Sequence, residues 1–117
     1  MAEIRIILGT NIITAQLADN SASRDFLSLL PLQLELNDYA STEKVADLPK
    51  QLAVTDTPAG FEPSAGDIAY YAPWGNLAIF YRDFGYANRL VNLGRITEGL
   101  AHLNFRGPQH ATIERVA

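Results

Sequence analysis

GDIAYYAPWGNLAIFYRDFGY, residues 66–86, holds two aromatic, β-rich runs, Asp67–Tyr71 and Asn76–Tyr81, on either side of Ala72-Pro73-Trp74-Gly75. Aromatic and branched side chains suit a pleated surface, and a proline followed closely by a glycine presets a turn, so the stretch reads as a β-hairpin. Strand alternation sends Ile68 and Tyr70 to one side and Ala69 and Tyr71 to the other. On the second strand it turns Leu77 and Ile79 inward and leaves Asn76, Ala78 and Phe80 on one outer face.

The same period of two extends outward from the hairpin. Ile4, Ile6 and Leu8 alternate with Glu3, Arg5 and Ile7, then Gly9-Thr10-Asn11 supplies turn chemistry, and Ile13, Ala15 and Leu17 share the core face of a second strand. Asn20 or Ser21 can cap a helix whose apolar stripe is Ala22, Phe26, Leu29 and Leu30, and Pro31 stops it because it has no amide to donate. Leu32, Leu34 and Leu36 predict a third strand, broken by Asn37-Asp38. Between Tyr39 and Ser64, Pro49, Pro58 and Pro63 punctuate long connections with one or two short strands. Arg82–Asn92 reads as loop, Leu93–Ile96 as strand, Thr97–Leu103 as one or two helical turns and Thr112–Val116 as a closing strand. The fold class is therefore mostly β, with seven or eight short strands and one or two short helices. A closed or partly closed antiparallel barrel is expected, with a sandwich as the alternative and Phe26, Leu29 and Leu30 covering one open end.

The chain has 117 residues, which leaves room for one domain, 1–117. A formal charge of -4 argues against nucleic acid, whose phosphates demand clustered Lys and Arg. With no cysteine there is no disulfide, thiolate nucleophile or Cys-bound metal, which suits a cytoplasmic location. No apolar run approaches the roughly 20 residues that span a bilayer, and Met1–Leu8, which carries Glu3 and Arg5, is unlike a signal peptide. Among catalytic motifs, Asp83-Phe84-Gly85 spells a kinase tripeptide without the rest of a kinase. The stretch from Gly94 to Gly99 lacks the Lys-Ser/Thr of a P-loop, and Gly-x-Ser-x-Gly is absent. His102 and His110, the only histidines, do not make a zinc site, so neither metal nor cofactor is expected.

Two segments resemble cyclophilins. ITAQLADNSASRDFLSLL, Ile13–Leu30, is similar to their strand, polar cap and Phe-x-x-Leu helix, and LGRITEGL, Leu93–Leu100, to their Phe-Gly-x-Val-x-x-Gly-Met stretch. Between them, residues 66–86, with LNDYASTEKVADLP, Leu36–Pro49, closely resemble a mostly bacterial family of uncharacterised proteins described as cyclophilin-like. The resemblance spans about residues 3–103 and implies a cyclophilin-like barrel. Cyclophilins are peptidyl-prolyl isomerases that use an arginine to polarise the prolyl amide, a glutamine to orient it, and aromatic walls. Laid on their Gln-Phe-Phe stretch, Ala78 stands where the glutamine would be and Phe80 keeps the wall. The arginine's place falls near Glu43-Lys44, and lysine lacks the planar fork.

Three readings follow. The first is a module binding a peptide segment or small ligand in a groove walled by aromatics. The second is an enzyme, either a residual isomerase or a small-molecule enzyme on the same scaffold. The third is a protein-interaction or oligomerisation domain, so oligomeric state stays open. The candidate groove comprises Asn76, Ala78 and Phe80, with Glu43 and Lys44 as charge at its edge and Trp74 and Tyr86 as its rim.

Overall fold

The computed structural model describes residues 2–116. Met1 and Ala117, the ends of the expected domain span, lie outside the described residues. Strands β1 (Glu3–Leu8) and β2 (Asn11–Leu17) form the first hairpin, with Ile4, Ile6, Leu8, Ile13, Ala15 and Leu17 buried as their alternation requires. Helix α1 (Ser21–Ser28) starts at Asn20, whose side-chain oxygen accepts from the Ser23 amide at 2.8 Å. Ala22 and Phe26 are fully buried in the core, and Leu29 and Leu30 pack against it half-buried.

Strand β3 (Leu32–Tyr39) runs through the expected break at Asn37-Asp38. Those residues stay in the ladder, opposite Val45 and Lys44 of β4 (Glu43–Asp47), and the Asp38 carboxylate serves both the turn that follows, accepting from the Ser41 amide at 3.1 Å, and the contact with Lys44. The reversal comes at Ala40 and Ser41, both left-handed with φ of 55° and 53°, and the Thr42 amide donates to the Tyr39 carbonyl at 3.1 Å. A long connection carries β5 (Gly60–Phe61) and leads to β6 (Asp67–Tyr71) and β7 (Asn76–Phe80), the hairpin read from sequence. Its turn needs Gly75, where φ is 67°. After β8 (Ala87–Asn88), β9 (Leu90–Glu98) begins earlier than expected, since Leu90, Val91 and Asn92 pair with Tyr71, Tyr70 and Ala69. A 3₁₀ turn, Leu100–Leu103, precedes β10 (Gln109–Arg115).

The ring order is β1-β10-β3-β4-β7-β6-β9-β2, every neighbour antiparallel, and β2 pairs back to β1, so the sheet is a closed eight-stranded barrel. Closure at β2–β9 depends on Gly94, where a Cβ would sit 2.3 Å from the Gln16 carbonyl oxygen. Because the strands alternate in direction, α1 lies at one barrel end and the 3₁₀ turn at the other. Inside, the core runs through Ile4, Ile13, Leu36, Leu77, Ile79 and Leu93. Tyr70 joins it, and its hydroxyl accepts from the Leu52 amide at 3.2 Å, which pins the long connection.

A second apolar cluster lies on the outside of the barrel, where Ala69, Ala78, Phe80 and Leu90 pack beneath Phe61 and Ala87. These last two residues pair with each other in the small β5–β8 ribbon that covers this sector. The barrel is thus double-layered on one side, and the candidate site adjoins that layer. Among the described residues no helix is long and apolar enough to cross a membrane.

Candidate functional site

The β4–β7 ladder sets Glu43 opposite Phe80, Val45 opposite Ala78 and Asp47 opposite Asn76, so these residues share the outer face. The β6–β7 ladder adds Tyr71 beside Asn76, and the β3–β4 ladder adds Tyr39 beside Glu43. Over this face opens a cavity of about 430 Å³, within the range of small-molecule sites. Its floor includes Phe80 and Leu90, and Phe84 stacks on Phe80 with ring centroids 6.4 Å apart. One wall is an aromatic row. The tight β6–β7 turn lifts Trp74 to 62% exposure, edge-on to Tyr71 at 5.3 Å and to Tyr39 at 5.8 Å.

Of the polar side chains on this apolar space, Thr42 donates its hydroxyl to the Ala40 carbonyl at 3.0 Å, and Glu43 and Asn76 carry oxygens without a partner among the described residues. Burial pushes the Glu43 carboxyl up to about 7, since it is desolvated without a compensating charge. Asn76 is 5% exposed, and its Oδ1 has no hydrogen-bond partner among the described residues. Its Nδ2 makes only a long contact, 3.4 Å, to the Leu77 carbonyl. Among the described residues no Lys, Arg or His lines the cavity.

Of the residues picked out from sequence, Glu43, Trp74, Asn76 and Phe80 come together on this cavity. The other three sit elsewhere. Ala78 is on the correct face but wholly buried in the outer cluster, under Val45 and the covering ribbon. Tyr86, 63% exposed, is directed toward the ribbon, with its hydroxyl beside Gly60. Lys44 follows Glu43 on one strand, so alternation points it the opposite way, into the barrel. Phe80 is also deeper than a groove wall needs to be, at 1% exposure.

Lys44 ends in a different pocket. Its ammonium donates to Asp38 Oδ1 at 3.1 Å and to the Phe105 carbonyl at 2.7 Å, and lies 4.1 Å from the Phe105 ring centroid and 5.1 Å from that of Tyr81. The Tyr81 hydroxyl also donates to Asp38. That bond, aided by Lys44, holds the Asp38 carboxyl below the usual range, while burial and the Asp38 carboxylate push the Tyr81 phenol up to about 12.

Tyr39, Tyr71 and Phe84 also line the cavity but were not among the candidate groove residues. For Tyr71 the signal was present, since alternation in Asp67–Tyr71 buries one of two adjacent tyrosines and leaves the other outside. Tyr39 was hidden behind the expected break at Asn37-Asp38. Among the described residues no group of three or more His, Asp or Glu side chains is placed to hold a metal ion.

The geometry can be set beside known proteins. No curated protein matches the chain. The solution structure of a hypothetical protein from Archaeoglobus fulgidus superposes with a TM-score of 0.73 over 98% of this chain and 95% of that one, at 18% identity, which shows a shared fold. The model of the cyclophilin-like family matches residues 6–114, nearly the whole barrel. The chain therefore belongs to the cyclophilin-like family.

Proposed function

We propose that this domain binds a peptide segment or small ligand in the outer groove and does not work as a prolyl isomerase. The observation that carries this reading is an aromatic row, the exposed Tyr39 and Trp74 with the half-buried Tyr71, standing over a buried apolar floor with an empty volume between them. Aromatic rims of this kind bring large contact area with little side-chain entropy to lose. Isomerisation is argued against by the chemistry of the lining. Rotation about a prolyl amide is helped by donors that stabilise the twisted bond, and this cavity offers a carboxyl and an orphan carbonyl oxygen instead of a guanidinium.

Trp74 is the only tryptophan in the chain, so occupancy of the groove is read directly from its fluorescence. Titration with a panel of prolyl and non-prolyl peptides and small apolar ligands should give a saturable change with at least one of them. In a coupled prolyl-peptide assay, kcat/KM should stay well under roughly 10⁴ M⁻¹s⁻¹, and a value at or above that level would refute the non-catalytic half of the reading.

A further inference from the structure

The groove is one-signed. Glu43 is the only ionised or ionisable carboxyl on its lining, no cationic side chain of the described residues accompanies it, and among those residues nothing hydrogen-bonds or ion-pairs with that carboxyl. Asn76 presents a second oxygen without a partner. These two oxygen-bearing groups thus want a donor, and both sit where water is partly excluded, so leaving them unmet is unfavourable. Their spacing is set by the sheet. Glu43 stands opposite Phe80, and Asn76 lies four residues before Phe80 on β7, a backbone separation of roughly 13 Å. Tyr39 is beside Glu43, Tyr71 is beside Asn76, and Trp74 meets both rings edge-on, so an aromatic row links the two polar groups, and ring faces attract positive charge.

Each class of ligand meets this lining differently. An anion would face Glu43 with no countercharge nearby. A hydrocarbon would fill the volume and leave both oxygens unpartnered. An amine satisfies the carboxylate, the carbonyl oxygen and the rings together.

We propose that the groove takes an organic ammonium, an elongated amine whose cationic nitrogen meets Glu43 and whose second N–H meets Asn76 Oδ1, with its hydrocarbon lying along the aromatic row. This rests on the groove being the binding site. The chemistry is shared by a free diamine and by a lysine side chain with its own backbone N–H.

The test is an NMR titration of the ¹⁵N-labelled full chain with heptamethylenediamine, heptylamine, heptanol and heptanoate, together with lysine blocked as its N-acetyl N-methylamide. The diamine should shift the amides of Glu43 and Asn76 and the Trp74 indole N–H most, then heptylamine, then heptanol, with heptanoate last. Glu43→Gln keeps the shape and removes the charge, so it should stay folded and lose about tenfold in affinity for both amines while leaving heptanol unchanged. Tighter binding of the diamine or of the blocked lysine assigns the source. If heptanol or heptanoate binds the groove as tightly as the amines, or the Gln variant binds amines as well as the parent, the ammonium inference is overturned and the groove stands. If no probe moves any groove resonance, the groove reading falls and the ammonium inference with it.

Discussion

Glu43 and Lys44 are bonded neighbours on β4, yet they face two cavities of about 430 Å³ each that are opposite in chemistry. The outer one, against Glu43, is walled by rings and leaves its carboxyl unpaired. The inner one, at the barrel mouth, surrounds Lys44 with Asp38, the Phe105 carbonyl and two aromatic rings, so that a side chain only 2% exposed has its polar contacts met. The turn through Ala40 and Ser41 divides them, Ala40 lining the first and Ser41 the second. The contrast separates two uses of a buried charge. A paired one holds the fold together, and an unpaired one is kept available at some expense to stability.

Lys44→Met tests the first use and should have the largest effect. It leaves the Phe105 carbonyl and part of Asp38 without a donor, so a loss of about 3 kcal/mol is expected, or roughly 10 °C in Tm by calorimetry. A melting point within a degree or two of the parent would mean that pairing is not what holds Lys44, and the contrast would collapse.

Glu43→Gln tests the second use, with the opposite sign. An acid raised from 4.5 to about 7 in the folded state adds nothing below pH 4.5. As pH rises from 4.5 through about 7, the unfolded chain ionises more readily than the folded one, stability falls, and the deficit then levels off. Because water still reaches part of the carboxyl, the penalty is about 1–2 kcal/mol rather than the full shift. The Gln variant should therefore match the parent near pH 4 and exceed it by that amount above pH 7, as read from urea unfolding curves. Equal curves at both pH values would show that Glu43 is fully solvated.

The smallest effect on folding is expected at the groove rim. Trp74→Ala, at an exposed turn position, should change stability by no more than about 0.5 kcal/mol while removing the middle ring of the aromatic row and weakening any groove ligand. Phe80 is unsuited to that purpose, since its buried ring supports the outer cluster and its removal would perturb the fold together with the groove.

How much of this was legible in the sequence follows from which contacts are local. The β1–β2 hairpin, the Asn20 cap and the 66–81 hairpin were legible because periodicity, cap chemistry and turn residues lie within a few positions of each other. The continuation of β3 through Asn37-Asp38 was not, because turn-favouring side chains there are held in the ladder by pairing with β4 and by the bond from Tyr81, 43 residues away, to Asp38. Leu90–Asn92 was missed for the same reason, its strand character coming from pairing with β6. At the site, alternation correctly grouped Asn76 with Phe80. Applied equally to Glu43-Lys44, it would have sent the two charges apart instead of placing both at one edge. The burial of Ala78 depends on the β5–β8 ribbon, which two dipeptides far apart in the chain build together.

The closed ring of eight strands also bears on how anything could attach to this protein. Each barrel strand pairs with a neighbour on both sides, the shortest ladder being Asn37–Tyr39 of β3 with Glu43–Val45 of β4, so a visiting peptide or a second copy finds no full-length free edge on the barrel to extend. Recognition over most of the barrel then falls to side chains. Selectivity would then depend on what a ligand carries and where, and little on the direction in which its backbone runs.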